Sequence, residues 1–243
     1  MGVVKLAIFD GLITFTWMFC VSGLGVLASI IASALNLDHH LVGPLPNLVI
    51  DTVLISLIVF FFTLLGQLLG GASFNPTATA SFYAAGVGGV HDDLVSVGLR
   101  LPAQAAGAVG GAMAIMEFMP PQYKHMLVGP SLKVDQHTGA IAEGVLTFLI
   151  SFAALLIIQK GPKNVLLQTC LLSVSTMSMI VAGSGYTGPS MNPVNAFGWA
   201  YLNKSHNKWE QYYVYWICPF IGAILAAWVF RFIFPPPVKQ KKA

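Results

Sequence analysis

A chain of 243 residues that is 56% hydrophobic and only 9% charged departs from soluble domains, which carry roughly a quarter charged residues. Its mean hydropathy of +0.75 points to an integral membrane protein and away from a soluble globule. The formal net charge of +3 comes with no basic stripe and no aromatic interleaving, which argues against a nucleic-acid partner.

In chain order, the first long apolar segment covers 6–35 and carries Asp10 near its start. Only Lys5 precedes it and no small-residue cleavage site follows, so it is expected to be a retained span and not a removed signal peptide. A second segment, 48–70, runs into GASFNPT (71–77) and a short apolar stretch, 75–86. The third is 95–116, and the fourth, 139–158, opens with EGVLTF (143–148). The fifth, 164–183, leads into GPSMNPV (188–194) and a second short stretch, 192–202. The sixth covers 211–234, and PPPVKQKKA (235–243) is too polar and rich in proline to continue it. Runs of about 18 or more apolar residues cross a hydrocarbon core of roughly 30 Å. The two short stretches, at about 1.5 Å per residue, reach only half of it. They are expected to be re-entrant half-helices. Cys20, Cys170 and Cys218 fall inside apolar runs without metal-ligand spacing and read as buried free thiols.

Two motifs recur. DGLITF (10–15) returns as EGVLTF, and GASFNPT returns as GPSMNPV. Three spans separate the copies, so the second half enters the membrane upside down relative to the first. Inverted repeats of this kind place a solute path between the halves near the midplane. The expected organisation is one membrane channel domain over 1–243, with repeats at about 1–120 and 135–234 and a polar cytosolic tail at 235–243. With both termini inside, Lys5, Arg100, Lys160, Lys163, Arg231, Lys239, Lys241 and Lys242 fall at the inner face and Lys124, Lys133, Lys204 and Lys208 outside, the bias of the positive-inside rule.

Asparagine is a preferred helix N-cap and proline fits the first helical position, where its missing N–H is no loss. Asn75-Pro76 and Asn192-Pro193 therefore start helices, and the inversion brings the two starts together at mid-membrane. Each helix N-terminus carries roughly half a positive elementary charge, which repels cations. The two Asn amides donate to the oxygen of a passing water, whose hydrogens must then turn outward and interrupt a proton wire.

Over essentially its whole length the sequence resembles the aquaporin (major intrinsic protein) family. YTGPSMNPVNAFGWA (186–200) is similar to that family's second pore loop, and AEGVLTF (142–148) to the opening of its fourth span. Thr77 in the first box, Asn195 after the second and the short lysine-rich tail resemble one subgroup, the plant small basic intrinsic proteins, and within it their first class. The resemblance implies an all-α integral membrane fold with six transmembrane helices plus two re-entrant half-helices as an inverted repeat. It further implies a pore in each subunit of a homotetramer, Asn75 and Asn192 meeting at the pore centre, and Asp10 and Glu143 holding the half-helix loops. Symmetric placement at span starts favours that scaffold role for the two acids over proton carriage. The family's boxes carry alanine where Thr77 and Val194 stand, and both replacements are β-branched.

By the family's spacing the outer filter falls on Ile55, Ile180, Pro189 and Asn195, with Asn195 where water-selective relatives carry arginine. Three apolar residues and a neutral amide make a filter without fixed charge. The expected activity is a passive channel for water and small neutral solutes that excludes ions and protons through its two half-helix N-termini. An inverted-repeat secondary transporter is the alternative, and would want an ion-coordinating cluster beyond Asp10, Asp51 and Glu143. A structural membrane protein with a poorly conducting pore is another. Enzymatic activity is not expected, because no nucleophile–base or metal constellation lies within the spans. No cofactor or metal is expected either. His39, His40, His125, His137 and His206 fall in outer loops and His91 in an inner one, where solvated histidines are the ordinary reading. Asn203-Lys204-Ser205 is a glycosylation sequon, set too close to the second half-helix to suit modification. Lys239 and Lys241 sit five and three residues from the end, resembling a Lys-x-Lys-x-x retrieval signal of the endoplasmic reticulum, with contact to anionic lipid as the plainer reading.

Overall fold

The computed structural model of the protein describes residues 2–37, 45–87 and 94–235. The first apolar segment forms two helices, α1 (Val3–Ser22) and α2 (Leu24–Ala34), joined at Gly23. The second span is α3 (Leu45–Leu68) and the first short stretch is α4 (Pro76–Ala85). The third span is α5 (Leu94–Phe118), followed by a 3-10 turn at Pro121–Met126. Spans four and five are α6 (Gln136–Gln159) and α7 (Val165–Gly183), and the second short stretch is α8 (Pro193–Leu202). The last span begins as α9 (Trp209–Tyr212), widens into a π turn at Tyr213–Ile217 and continues as α10 (Cys218–Ile233). Pro219 explains the widening. Its ring would strike the carbonyl of Tyr215, four residues earlier in an α-helix, and it offers no N–H there.

Five described helical segments are long and apolar enough to cross a membrane: Val3–Ala34, Leu45–Leu68, Gln136–Gln159, Val165–Gly183 and Trp209–Ile233. The third span, α5, has 25 residues, about 37 Å at 1.5 Å each, but is less apolar. Its buried face carries Arg100 and Gln104 beside the small residues Gly107, Ala108, Gly111 and Ala112. α6 starts earlier than its apolar run because Asp135 caps it, accepting the N–H groups of His137 and Thr138 at 3.1 Å each. The Thr138 side chain and amide hold the exposed Asp135 carboxyl below the ordinary aspartate value.

Packing follows the repeat. α1 makes its most extensive contact with α5, and α6 with α10. At the first crossing, a Cβ on Gly107 would strike the carbonyl oxygen of Gly11; at the second, one on Gly222 would strike that of Gly144. The Phe15 and Phe148 amides lie at 3.1 and 3.0 Å from those same Cβ positions. Small residues let membrane helices approach to backbone contact, where dispersion and close packing replace the missing hydrophobic drive. The half-helices pack across the repeat: α4 lies on α10 and α8 on α5.

Two expectations are corrected here. Cys20 and Cys170 are exposed, so they are not buried thiols, and Cys218 is half-buried against the core around Ala140 and Val214. Arg100 is not an inner-face surface charge. It is 3% exposed and paired with Asp10. Lys239, Lys241, His39, His40 and His91 lie outside the described residues.

Candidate functional site

Both half-helices begin at their Asn-Pro pairs, and the expected side-chain cap forms at Asn75 but not at Asn192. Asn75 and Asn192 have extended backbone (φ −139° and −142°) and each precedes a proline in the first helical turn. The approach to each uses left-handed backbone, Gly70 and Gly71 (φ 72° and 90°) in the first half and Gly188 and Met191 (φ 55° and 49°) in the second. Met191 is the unusual member, because an L side chain in that region is disfavoured by roughly 1–2 kcal/mol. Glu143 compensates by accepting the Met191 N–H at 3.0 Å.

The two N-termini meet through reciprocal bonds. Asn75 Nδ2 donates to the Met191 carbonyl at 3.1 Å, and Asn192 Nδ2 donates to the Phe74 carbonyl at 3.0 Å. Each asparagine thus grips the residue before the other. An amide nitrogen carries two hydrogens, so one N–H on each remains after this exchange. Asn75 Oδ1 caps α4, accepting from the Thr77 N–H at 3.0 Å, and lies 2.7 Å from the Thr77 hydroxyl. That hydroxyl is also 3.0 Å from the Met191 carbonyl, and its single proton serves one acceptor at a time. Val194, fully buried in the matching position, has no hydroxyl, and Asn192 Oδ1 is buried without a protein partner.

Behind each N-terminus lies a fully buried acid. Asp10 accepts the Ser73 N–H at 2.8 Å, the Gln104 amide at 2.8 Å and the Arg100 guanidinium at 2.6 Å (Nε) and 3.2 Å (Nη2). Arg100 Nη2 also donates to the Gly71 carbonyl at 3.0 Å. Glu143 accepts the Thr187 hydroxyl at 2.9 Å and the Ser190 and Met191 N–H groups at 2.8 and 3.0 Å. The Tyr215 hydroxyl donates to the Thr187 carbonyl at 3.2 Å. Ser73 and Ser190 hydroxyls donate to the carbonyls of Asn75 and Asn192 at 3.2 and 2.7 Å. Trp17 stacks on Phe74 at 4.0 Å between ring centroids, holding the residue whose backbone carbonyl Asn192 uses.

Of the four residues expected to line the filter, Ile55 is buried on α3, which packs on α7, where Ile180 is half-buried. Pro189 lies in the approach to α8, against Gly183 at the end of α7. Asn195 sits in the first turn of α8, and its Oδ1 is buried without a protein partner. The loop before α6 is strapped to this approach: Ser131 and Lys133 N–H donate to the carbonyls of Thr187 and Tyr186 at 2.9 and 2.8 Å, and Lys133 Nζ to that of Ser184 at 2.8 Å. Among the described residues no group of three or more His, Cys, Asp or Glu side chains could hold a metal ion.

Sequence reasoning overlooked Arg100, Gln104, Thr187 and Tyr215 as members of this site. A signal existed for the first pair. An arginine inside a span requires a partner, Gln104 lies one helical turn further on the same face, and Asp10 was the available acid.

The sequence matches the family model described as Major intrinsic protein over residues 10–230. It is similar to Aquaporin SIP1-1 of Oryza sativa subsp. japonica, 58% identical over 241 residues that cover 99% of this chain and 97% of the relative. It is also similar to Aquaporin SIP1-1 of Arabidopsis thaliana, 54% identical over 242 residues, covering 100% and 98%. Among solved structures it resembles in fold the aquaglyceroporin from Plasmodium falciparum, with a TM-score of 0.71 at 19% identity over 94% of this chain and 96% of that one.

Proposed function

Because the chain belongs to the major intrinsic protein (aquaporin) family, and within it to the small basic intrinsic proteins of the first class, we propose that it is a passive channel for water and small neutral solutes that excludes ions and protons. The observation that carries this reading is the reciprocal pair of bonds at the buried helix N-termini, Asn75 to Met191 and Asn192 to Phe74. With one N–H left on each amide, a water passing between them accepts twice through its oxygen and points both hydrogens away from its neighbours. The two N-terminal partial charges repel a cation at the same place. Thr77 and Val194 narrow the centre, while Asp10 and Glu143 hold the approach loops. The buried charged groups described in the spans, Asp10, Arg100 and Glu143, are engaged in that scaffold, which disfavours an ion-coupled transporter.

Ile55, Ile180, Pro189 and Asn195 form an outer filter without fixed charge in this reading. Vesicles containing the purified protein, challenged with osmotic gradients of impermeant and small neutral solutes, test it directly. Faster water flux than in empty vesicles is expected, and equality for water and every solute would overturn the channel. Asn195→Arg is expected to lower the passage of neutral solutes roughly tenfold, about 1.4 kcal/mol of added barrier, and that of water less. The opposite order would remove Asn195 from the filter.

We propose a homotetramer as the assembly. The most apolar stretches of α3 and α7 are 11% buried within the subunit, against 28% to 33% for the other three apolar segments, which leaves both helices with faces for neighbouring subunits. The proposed location is the endoplasmic reticulum membrane with both termini cytosolic. Changing Lys239 and Lys241 together to alanine should redirect a fluorescent fusion to the cell surface, and unchanged retention would dismiss the retrieval signal.

A further inference from the structure

The two halves anchor their pore loops with different chemistry, and the difference is coordinated. Asp10 and Glu143 precede the glycines of the two close crossings, Gly11 and Gly144, whose partners are Gly107 and Gly222. Seven residues before Gly107 stands Arg100; seven before Gly222 stands Tyr215. The structure puts both at the corresponding task, donating to a carbonyl at the start of the approach loop, Gly71 for Arg100 and Thr187 for Tyr215. The acids differ to match. Glu143 reaches two successive loop amides, Ser190 and Met191. Asp10, shorter by one methylene, accepts from Ser73 and gives its remaining capacity to Arg100 and Gln104.

We propose that Arg100 is a positioning residue of the pore: with Asp10 it forms an ionic loop anchor, a short acid with a long base, that replaces the long acid and tyrosine of the second half. It acts through Asp10 and Gly71 on the loop 71–75, and so sets where Asn75 meets Met191. A planar guanidinium suits this place, since it bonds both carboxylate oxygens and still reaches the Gly71 carbonyl. Either residue exchanged alone leaves a mismatch. With Arg100→Tyr, the short buried carboxylate loses its cation and two of its donors. With Asp10→Glu, the extra methylene must fit against a guanidinium already in contact. Exchanged together, they recreate the long acid and the tyrosine of the second half, with the Gln104 amide as third donor where Glu143 has the Thr187 hydroxyl. The inference rests on the channel reading for its permeability arm only.

The test compares Arg100→Tyr, Asp10→Glu and the double variant, as full-length protein, by thermal midpoint in detergent and by water and proton flux in vesicles per folded molecule. Each single variant is expected to lose roughly tenfold in water flux, a size typical of coupled neighbours, and Arg100→Tyr to leak protons as Asn75 shifts. The double variant should return to within about threefold of the parent in flux, with a midpoint above both single variants. If a single variant fails to assemble, recovery of folded protein by the double supports the proposal and continued failure overturns it. A double variant no better than Arg100→Tyr, or an Arg100→Tyr protein with parental flux, proton tightness and midpoint, would also overturn it. A parent that passes nothing refutes the channel reading, while the midpoints still decide the coupling of Asp10 with Arg100.

Discussion

Glu143→Ala is expected to abolish water flux and to destabilise the protein by about 3 kcal/mol or more. The carboxylate is fully buried and accepts from the Thr187 hydroxyl and the Ser190 and Met191 amides. Alanine leaves three donors with no replacement in a dry interior, and each unsatisfied one costs about 1–3 kcal/mol. Part of this is offset because no buried carboxylate need be desolvated any longer. The loss is also local. Met191 is held in left-handed backbone by one of these bonds, and its carbonyl is the acceptor for Asn75. When Met191 relaxes, the centre opens with it. Glu143→Gln separates scaffold from proton carriage. One amide oxygen can keep Thr187 and Ser190, while the NH₂ faces the Met191 N–H, donor against donor. Glutamine should therefore fall between alanine and the parent in thermal midpoint and in flux. A carrier role predicts instead that glutamine abolishes transport as fully as alanine while leaving the midpoint at the parental value.

If the half-helix ends exclude cations as proposed, Asn192→Asp is expected to admit them. The exchange removes the donor to the Phe74 carbonyl, leaving two acceptors facing each other, and it places a full negative charge between two N-termini worth roughly half a positive charge apiece. The site changes from net positive to near neutral. A cation then meets no barrier beyond dehydration, while a water loses one of its two fixed donors and can point a hydrogen at the new carboxylate. Cation conductance measured across planar bilayers should rise above the parent's baseline, and water flux should fall roughly tenfold, the size of one lost hydrogen bond of about 1.4 kcal/mol. An electrically silent Asn192→Asp protein with unchanged water flux would remove the half-helix ends from the exclusion mechanism.

The legible part of this molecule was the part written in local chemistry. Long apolar runs have one stable outcome in lipid, since every backbone N–H and C=O must be paired within the segment. The spans at 48–70, 139–158 and 164–183 therefore lie within a few residues of α3, α6 and α7. An asparagine followed by proline marks a helix start, and both α4 and α8 begin there, although only Asn75 also caps its helix through the side chain. The repeat of acid, glycine and Asn-Pro showed that two such starts belong together.

Which groups satisfy one another across the repeat is set by the folded arrangement. Arg100 is 90 residues from Asp10 along the chain, and an arginine near a span end reads equally well as a membrane-surface charge. Its burial follows from the approach of α5 to α1 at Gly107 and Gly11, a contact between two helices and not a property of either. The crossed bonds from Asn75 to Met191 and from Asn192 to Phe74 span 116 and 118 residues and exist only once both loops descend to one depth. Hydrophobicity and helix-capping chemistry act over a few residues and are therefore present in the sequence. Pairing a buried charge depends on three-dimensional proximity, and the fold alone supplies it.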